Sequence, residues 1–65
     1  MVKYPEIEVQ LTGQDGNAFM ILALVTKALK RAGVSAEECE AFYAEATGGD
    51  YDNLLRTAMS WVSVE

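Results

Sequence analysis

Side chains able to do chemistry are few in this 65-residue chain, and histidine is absent altogether. The usual general base, proton shuttle and commonest metal ligand are therefore missing. The single cysteine, Cys39, falls near the start of a helical stretch, where a helix N-terminus lowers a thiol pKa. Glu38 and Glu40 flank it, however, and disfavour the thiolate. Its place on an apolar stripe points to a buried structural thiol. The carboxylate pairs Glu37/Glu40 and Asp50/Asp52 would suit acid–base work only if one member of a pair were desolvated. Both pairs fall on first helical turns that are expected to be open to water. Two turns, Asp15-Gly16-Asn17 and Gly48-Gly49-Asp50-Tyr51-Asp52-Asn53, gather oxygen donors. A twelve-residue calcium loop closes on glutamate, whereas the twelfth position from Asp50 is Trp61. Turn and cap chemistry accounts for both. The 13–17 loop stands where a phosphate loop would stand, but it lacks GxGxxG and GxxxxGK(S/T), and Asp15 would repel a phosphate. These readings leave no catalytic residue, no metal ligand set and no cofactor, and the chain is expected not to be an enzyme.

Composition narrows the remaining classes. Ten acidic residues against five basic ones give a net charge of −5. That balance argues against nucleic acid, where phosphate neutralisation by Lys and Arg dominates affinity, and against an anionic membrane surface. Lys27, Lys30 and Arg31 cluster near one helix end, where positive charge complements the helix dipole. The longest apolar run, residues 18–25, has eight members, far short of the ~20 needed to span a bilayer. It also lacks the basic lead of a signal peptide. A cytoplasmic protein with a reduced thiol is expected. Half the residues are apolar and only one is proline, which argues against disorder. Residues 1–65 are read as one domain. A chain this short buries only roughly 60% of the surface its unfolded form exposes.

The elements follow from periodicity and caps. Residues 6–11 alternate, with Ile7, Val9 and Leu11 on one face and Glu6, Glu8 and Gln10 on the other, which predicts a half-buried strand. Pro5 suits the first position of such a strand. Thr12-Gly13-Gln14-Asp15-Gly16 reads as a tight loop. Asn17 then caps a helix over residues 18–32, closed by Gly33 in a left-handed conformation. Its first two turns are apolar all the way round, so it is either the central element or is buried against a second chain. Ser35 and Glu38 form a capping box for the second helix, with Val34 and Cys39 as its hydrophobic staple. The apolar face there is Cys39, Phe42, Tyr43 and Ala46, and Thr47-Gly48-Gly49 ends the helix. Asp50 caps a third helix whose buried stripe is Leu54, Leu55, Ala58, Met59 and Val62. After Ser60 or Trp61 the pattern shifts to period two, predicting a short terminal strand.

The expected fold is therefore α+β, a small β-α-α-α-β domain with three helices packed on a short two-stranded sheet. Such a sheet keeps two open edges, which suggests a possible homodimer through a strand edge. Tyr and Trp are enriched at interface hot spots. Tyr51, beside two aspartates in a first turn, is expected at the surface. Trp61 is read either as a lid on the core or as part of a contact surface. The candidate partner-binding residues are Glu37, Glu40, Glu45, Tyr51, Asp52 and Trp61.

Several strings carry a resemblance: Gly13, Asp15, Gly16, Asn17, Ala18 and Phe19; Ala28, Leu29, Ala32, Gly33 and Val34; Gly49, Asp50, Tyr51, Asp52, Leu54 and Leu55; then Trp61, Val62 and Val64. Together they resemble a group of small uncharacterised proteins encoded in bacterial, phage, prophage and plasmid genomes, over residues 6–65. The resemblance implies no activity. A fainter likeness links residues 33–62 to ubiquitin-associated three-helix modules, without their Met-Gly-Phe type loop. The expected function is a small acidic protein-interaction module or accessory factor without catalytic activity. The alternative is a mobile-element protein that inhibits a host nucleic-acid-binding protein through its acidic face.

Overall fold

The computed structural model describes residues 2–11 and 16–65. In chain order these form β1 (Tyr4–Val9), α1 (Ala18–Arg31), α2 (Ala36–Ala46), α3 (Tyr51–Trp61) and β2 (Val62–Val64). The result is a small α+β domain in which three helices separate two paired strands. The loop expected over residues 12–16 lies mostly outside the described residues.

The strands pair in parallel. A parallel pair needs a crossover rather than a hairpin, and the three helices supply it. The register runs Tyr4 to Val62, Glu8 to Ser63 and Val9 to Val64, with an irregularity between Tyr4 and Glu8. Pro5, which has no N–H for a ladder, falls in that irregular stretch, and its carbonyl accepts a 2.7 Å hydrogen bond from the Ser63 hydroxyl. The first strand thus begins earlier than its alternation suggests, and Pro5 is its second residue rather than its first. Leu11 lies beyond the strand but still donates its N–H to the Glu65 carbonyl and packs against the core.

All three helix starts are capped as their residue types require. Asn17 accepts from the N–H groups of Phe19 and Met20, Ser35 from Glu38 and Asp50 from Asn53. Each cap of this kind contributes about 1 kcal/mol. At the end of α1, Gly33 takes a φ of +86°. The Val34 N–H reaches back to the Leu29 carbonyl at 3.0 Å, the long-range bond of a Schellman closure.

The core joins Ile7 and Val9 of β1 to Ile21, Leu22, Val25 and Leu29 of α1, to Cys39, Phe42 and Ala46 of α2, and to Leu54, Ala58 and Trp61 of α3. Phe42, Leu29, Val25 and Val62 are completely enclosed. Three residues depart from the expected stripes. Tyr43 and Met59 are exposed, and Thr57 is buried in place of Met59. Met59 stands roughly 100° around the helix from Ala58, on the far side from Leu54 and Trp61. The all-round apolar start of α1 is only half covered: Ile21 and Leu22 face the core, while Phe19, Met20 and Ala23 face outward.

Candidate functional site

α2 follows α1 after a short turn and packs along it. Its positions Ala36, Glu40, Tyr43 and Thr47 recur at the spacing of one helical face and border a trough against α1. Near the N-terminus of α1 the trough widens into a cleft of about 310 Å³, walled by Ala18, Phe19, Leu22, Tyr43, Tyr51 and Leu54, with Asp50 at its edge. Toward the other end lies a second cleft of about 330 Å³, walled by Thr26, Lys30, Cys39, Glu40, Tyr43 and Ala44. Tyr43 belongs to both clefts and forms the saddle between them.

The rim is aromatic and open. Phe19 is 79% exposed, Tyr43 52% and Tyr51 43%. The N-caps fix this geometry, because Asn17 sets the first turn of α1 that carries Phe19, and Asp50 sets the first turn of α3 that carries Tyr51. The Tyr51 hydroxyl donates to the Gly16 carbonyl, tying the start of α3 to the approach to α1. A further tie holds the trough's lower wall. Asn53 Nδ2 donates to the Glu45 carbonyl at 2.9 Å, which also accepts from the Gly48 N–H at 3.3 Å. Gly49 makes this possible: a Cβ there would stand 2.9 Å from the Asn53 Cβ.

The opposite side of α2 is arranged differently. Glu38 does not complete the capping box with Ser35. Its Oε1 instead accepts from the Tyr4 hydroxyl at 2.9 Å and pairs with Lys3 Nζ at 2.6 Å. The Lys3 ammonium lies 4.3 Å above the Trp61 ring, within cation–π range. Trp61 in turn meets Phe42 edge-on, with centroids 5.6 Å apart, and Tyr4 at 6.0 Å. The hydrogen bond and charge of Lys3, then the Tyr4 hydroxyl, hold the Glu38 carboxyl below its ordinary range. The same carboxylate raises Lys3 and Tyr4 above theirs. Glu38 is thus held ionised.

The expected partner-binding residues separate into groups. Trp61 is 5% exposed and locked between Phe42 and Tyr4, so it is the core lid and offers no contact surface. Tyr51 is exposed and lies on the trough. The acidic residues do not share one face. Glu40 looks into the trough across from Lys30, whereas Glu45, seven residues after Glu38, falls on the Glu38 side of α2. Glu37 is exposed between these two sides, and Asp52 is exposed on another helix. Sequence reasoning missed Phe19 and Tyr43. Phe19 was legible as one residue too many for a helix with a single buried face. Tyr43 was concealed by spacing that fits Cys39 and Ala46.

Cys39 is buried, as the structural-thiol reading expects, and its sulfur lies 4.0 Å from the Val34 carbonyl. Among the described residues no three His, Cys, Asp or Glu side chains gather as a metal site. No described helix is long and apolar enough to cross a membrane. The 13–15 part of the loop weighed for anion binding lies outside the described residues. No family model matches the chain, and neither a curated protein nor a solved structure matches it.

Proposed function

We propose that this chain is a non-catalytic, cytoplasmic protein-interaction module that presents the α1–α2 trough to another protein surface. One observation carries the reading: Phe19, Tyr43 and Tyr51, from three different helices, are exposed around a single apolar cleft. Aromatic side chains of this kind supply large contact area at low conformational cost and dominate interface energetics. The scattered acidic residues favour this reading over inhibition through an acidic face, which requires a dense array.

The test is site-specific photo-crosslinking in cells that express the full chain. A benzophenone amino acid replaces Phe19 in one variant and Glu37 in another. The expected result is discrete protein adducts from position 19 and none from position 37. Equal labelling from both positions, or none from position 19, overturns the reading.

A further inference from the structure

We propose that the free edge of β1 is a second docking surface, which takes an extended peptide segment of another protein with acidic side chains at alternate positions. The proposal goes beyond the trough reading, because this surface lies on the other flank of α1.

The backbone specifies an extended occupant. The Glu65 N–H donates to the Val9 carbonyl at 2.9 Å, and the Leu11 N–H donates to the Glu65 carbonyl at 2.8 Å. Val9 and Leu11 therefore turn their amide groups toward β2. Successive residues of a strand turn them to opposite edges, so Glu8 and Gln10 turn theirs away from β2. That edge borders a furrow against α1, made of two adjoining clefts of about 290 and 310 Å³ that share Glu8, Ala28 and Arg31. Its strand side runs over residues 6–10, about 13 Å, and its helix side from Leu24 to Ala32, about 12 Å. The furrow has the length of one short strand. A row of N–H and C=O groups beside such a furrow is the setting for strand addition.

Charge narrows the occupant further. Half-buried Leu24 and Ala28 form the helix wall, and exposed Lys27 and Arg31 rim it. The two cations stand four residues apart, about 6 Å along the helix axis. Side chains on one face of a strand recur about every 6.6 Å, so acids two positions apart meet both cations. Among the described residues the only ion pair is Lys3–Glu38, and neither Lys27 nor Arg31 has a carboxylate at contact distance. Glu8 borders the furrow, but it alternates with buried Ile7 and Val9 and so belongs to the outer face of the sheet. Glu6 shares that face. A second copy of β1 added antiparallel would set these glutamates against their counterparts, which destabilises a strand pair. The edge thus disfavours its own copy and suits a strand whose outer face is not acidic.

The test uses the full labelled chain and a capped peptide that alternates threonine with glutamate over about seven residues. Amide exchange is followed by nuclear magnetic resonance. In the free chain the Glu8 and Gln10 amides should exchange faster than those of Val9 and Leu11. With peptide at about ten times its dissociation constant, exchange at Glu8 and Gln10 should slow about tenfold, while Phe19 and Tyr43 stay unmoved. The same peptide with N-methylated amides keeps its charges, loses its donors and should not bind. Lys27→Glu with Arg31→Glu should raise the dissociation constant at least about tenfold. A peptide with lysine in place of glutamate should bind that double variant, an outcome that unfolding cannot mimic.

Glu8 and Gln10 amides already protected in the free chain overturn the proposal, as does no protection at millimolar peptide. Equal binding of the N-methylated peptide, or of the lysine peptide to the wild type, also overturns it. Protection of the same amides that rises with protein concentration alone would make the occupant a second copy and overturn it too. None of these outcomes touches crosslinking from position 19, so the trough reading stands or falls separately.

Discussion

Two corners of this domain are built from similar side chains and behave in opposite ways. In one, Tyr4, Phe42 and Trp61 are gathered beneath Lys3 and Glu38, and the Tyr4 hydroxyl and the Lys3 ammonium both meet the Glu38 carboxylate. In the other, Phe19, Tyr43 and Tyr51 ring a cleft that the chain itself does not fill. The first corner clamps the start of β1 to the end of α3, where the parallel strands meet. The second lies among the helices and the turns that lead into them, and its three rings stay exposed. Residue type does not separate the two; the elements that converge on each ring do.

The sharpest way to break the contrast is Trp61→Ala. Removing a large buried aromatic costs about 3–5 kcal/mol, comparable to the whole margin of a domain this small. Thermal denaturation followed by circular dichroism should show no cooperative native state. If that variant melted like the wild type, the clamp would not be what holds the strands together.

Next in size is the tie beneath the trough. Gly49→Ala forces a Cβ onto Asn53, a clash expected to cost about 1–3 kcal/mol. Asn53→Ala should lose about 1 kcal/mol with the bond to the end of α2. Because both act on one contact, the double variant should fall short of additive in denaturant melts. This tie also marks where the sequence ceases to be readable. Asn17, Ser35, Asp50 and Gly33 announce their roles locally, since a cap and its acceptor lie within one turn. The bonds from Asn53 to Glu45, and from Glu38 to Tyr4 and Lys3, join residues that only the packed helices bring together. Glu38 in particular satisfies a local pattern with Ser35 that a distant tyrosine and lysine outcompete.

Strand orientation was equally hidden, because alternation in β1 and in the tail reports a buried face and not a direction. The stripe of α3 was readable in principle. Leu54, Thr57, Ala58 and Trp61 share an arc, and Met59 lies outside it by helical angle alone, although its hydrophobicity suggests otherwise. At the candidate site Tyr51 was legible from its first-turn position. Phe19 and Tyr43 become functional candidates only once α1 and α2 lie side by side.

A smaller effect separates the corners by pH. Glu38 titrates below its ordinary value of 4.5 when folded. Its contribution is therefore complete above that value and is lost as pH falls through the depressed one. The melting temperature of the wild type should exceed that of Glu38→Gln at neutral pH, and the gap should close in acid. Lys3 and Tyr4 are raised, so their contribution is complete below about 10, the ordinary tyrosine value, and is lost as pH rises through their folded values. The smallest effect belongs to the open corner: Phe19→Ala should change stability by no more than about 0.5 kcal/mol, measured in the same melts.

Amide spectra of the labelled chain, recorded by nuclear magnetic resonance for the wild type and for Phe19→Ala, test most directly whether the open corner stands apart from the fold that the closed corner holds. Shifts should stay around the cleft of Phe19, Tyr43 and Tyr51, and leave Tyr4, Glu38 and Trp61 unmoved. Shifts that reach Tyr4, Glu38 and Trp61, or loss of the dispersed spectrum, would contradict the account.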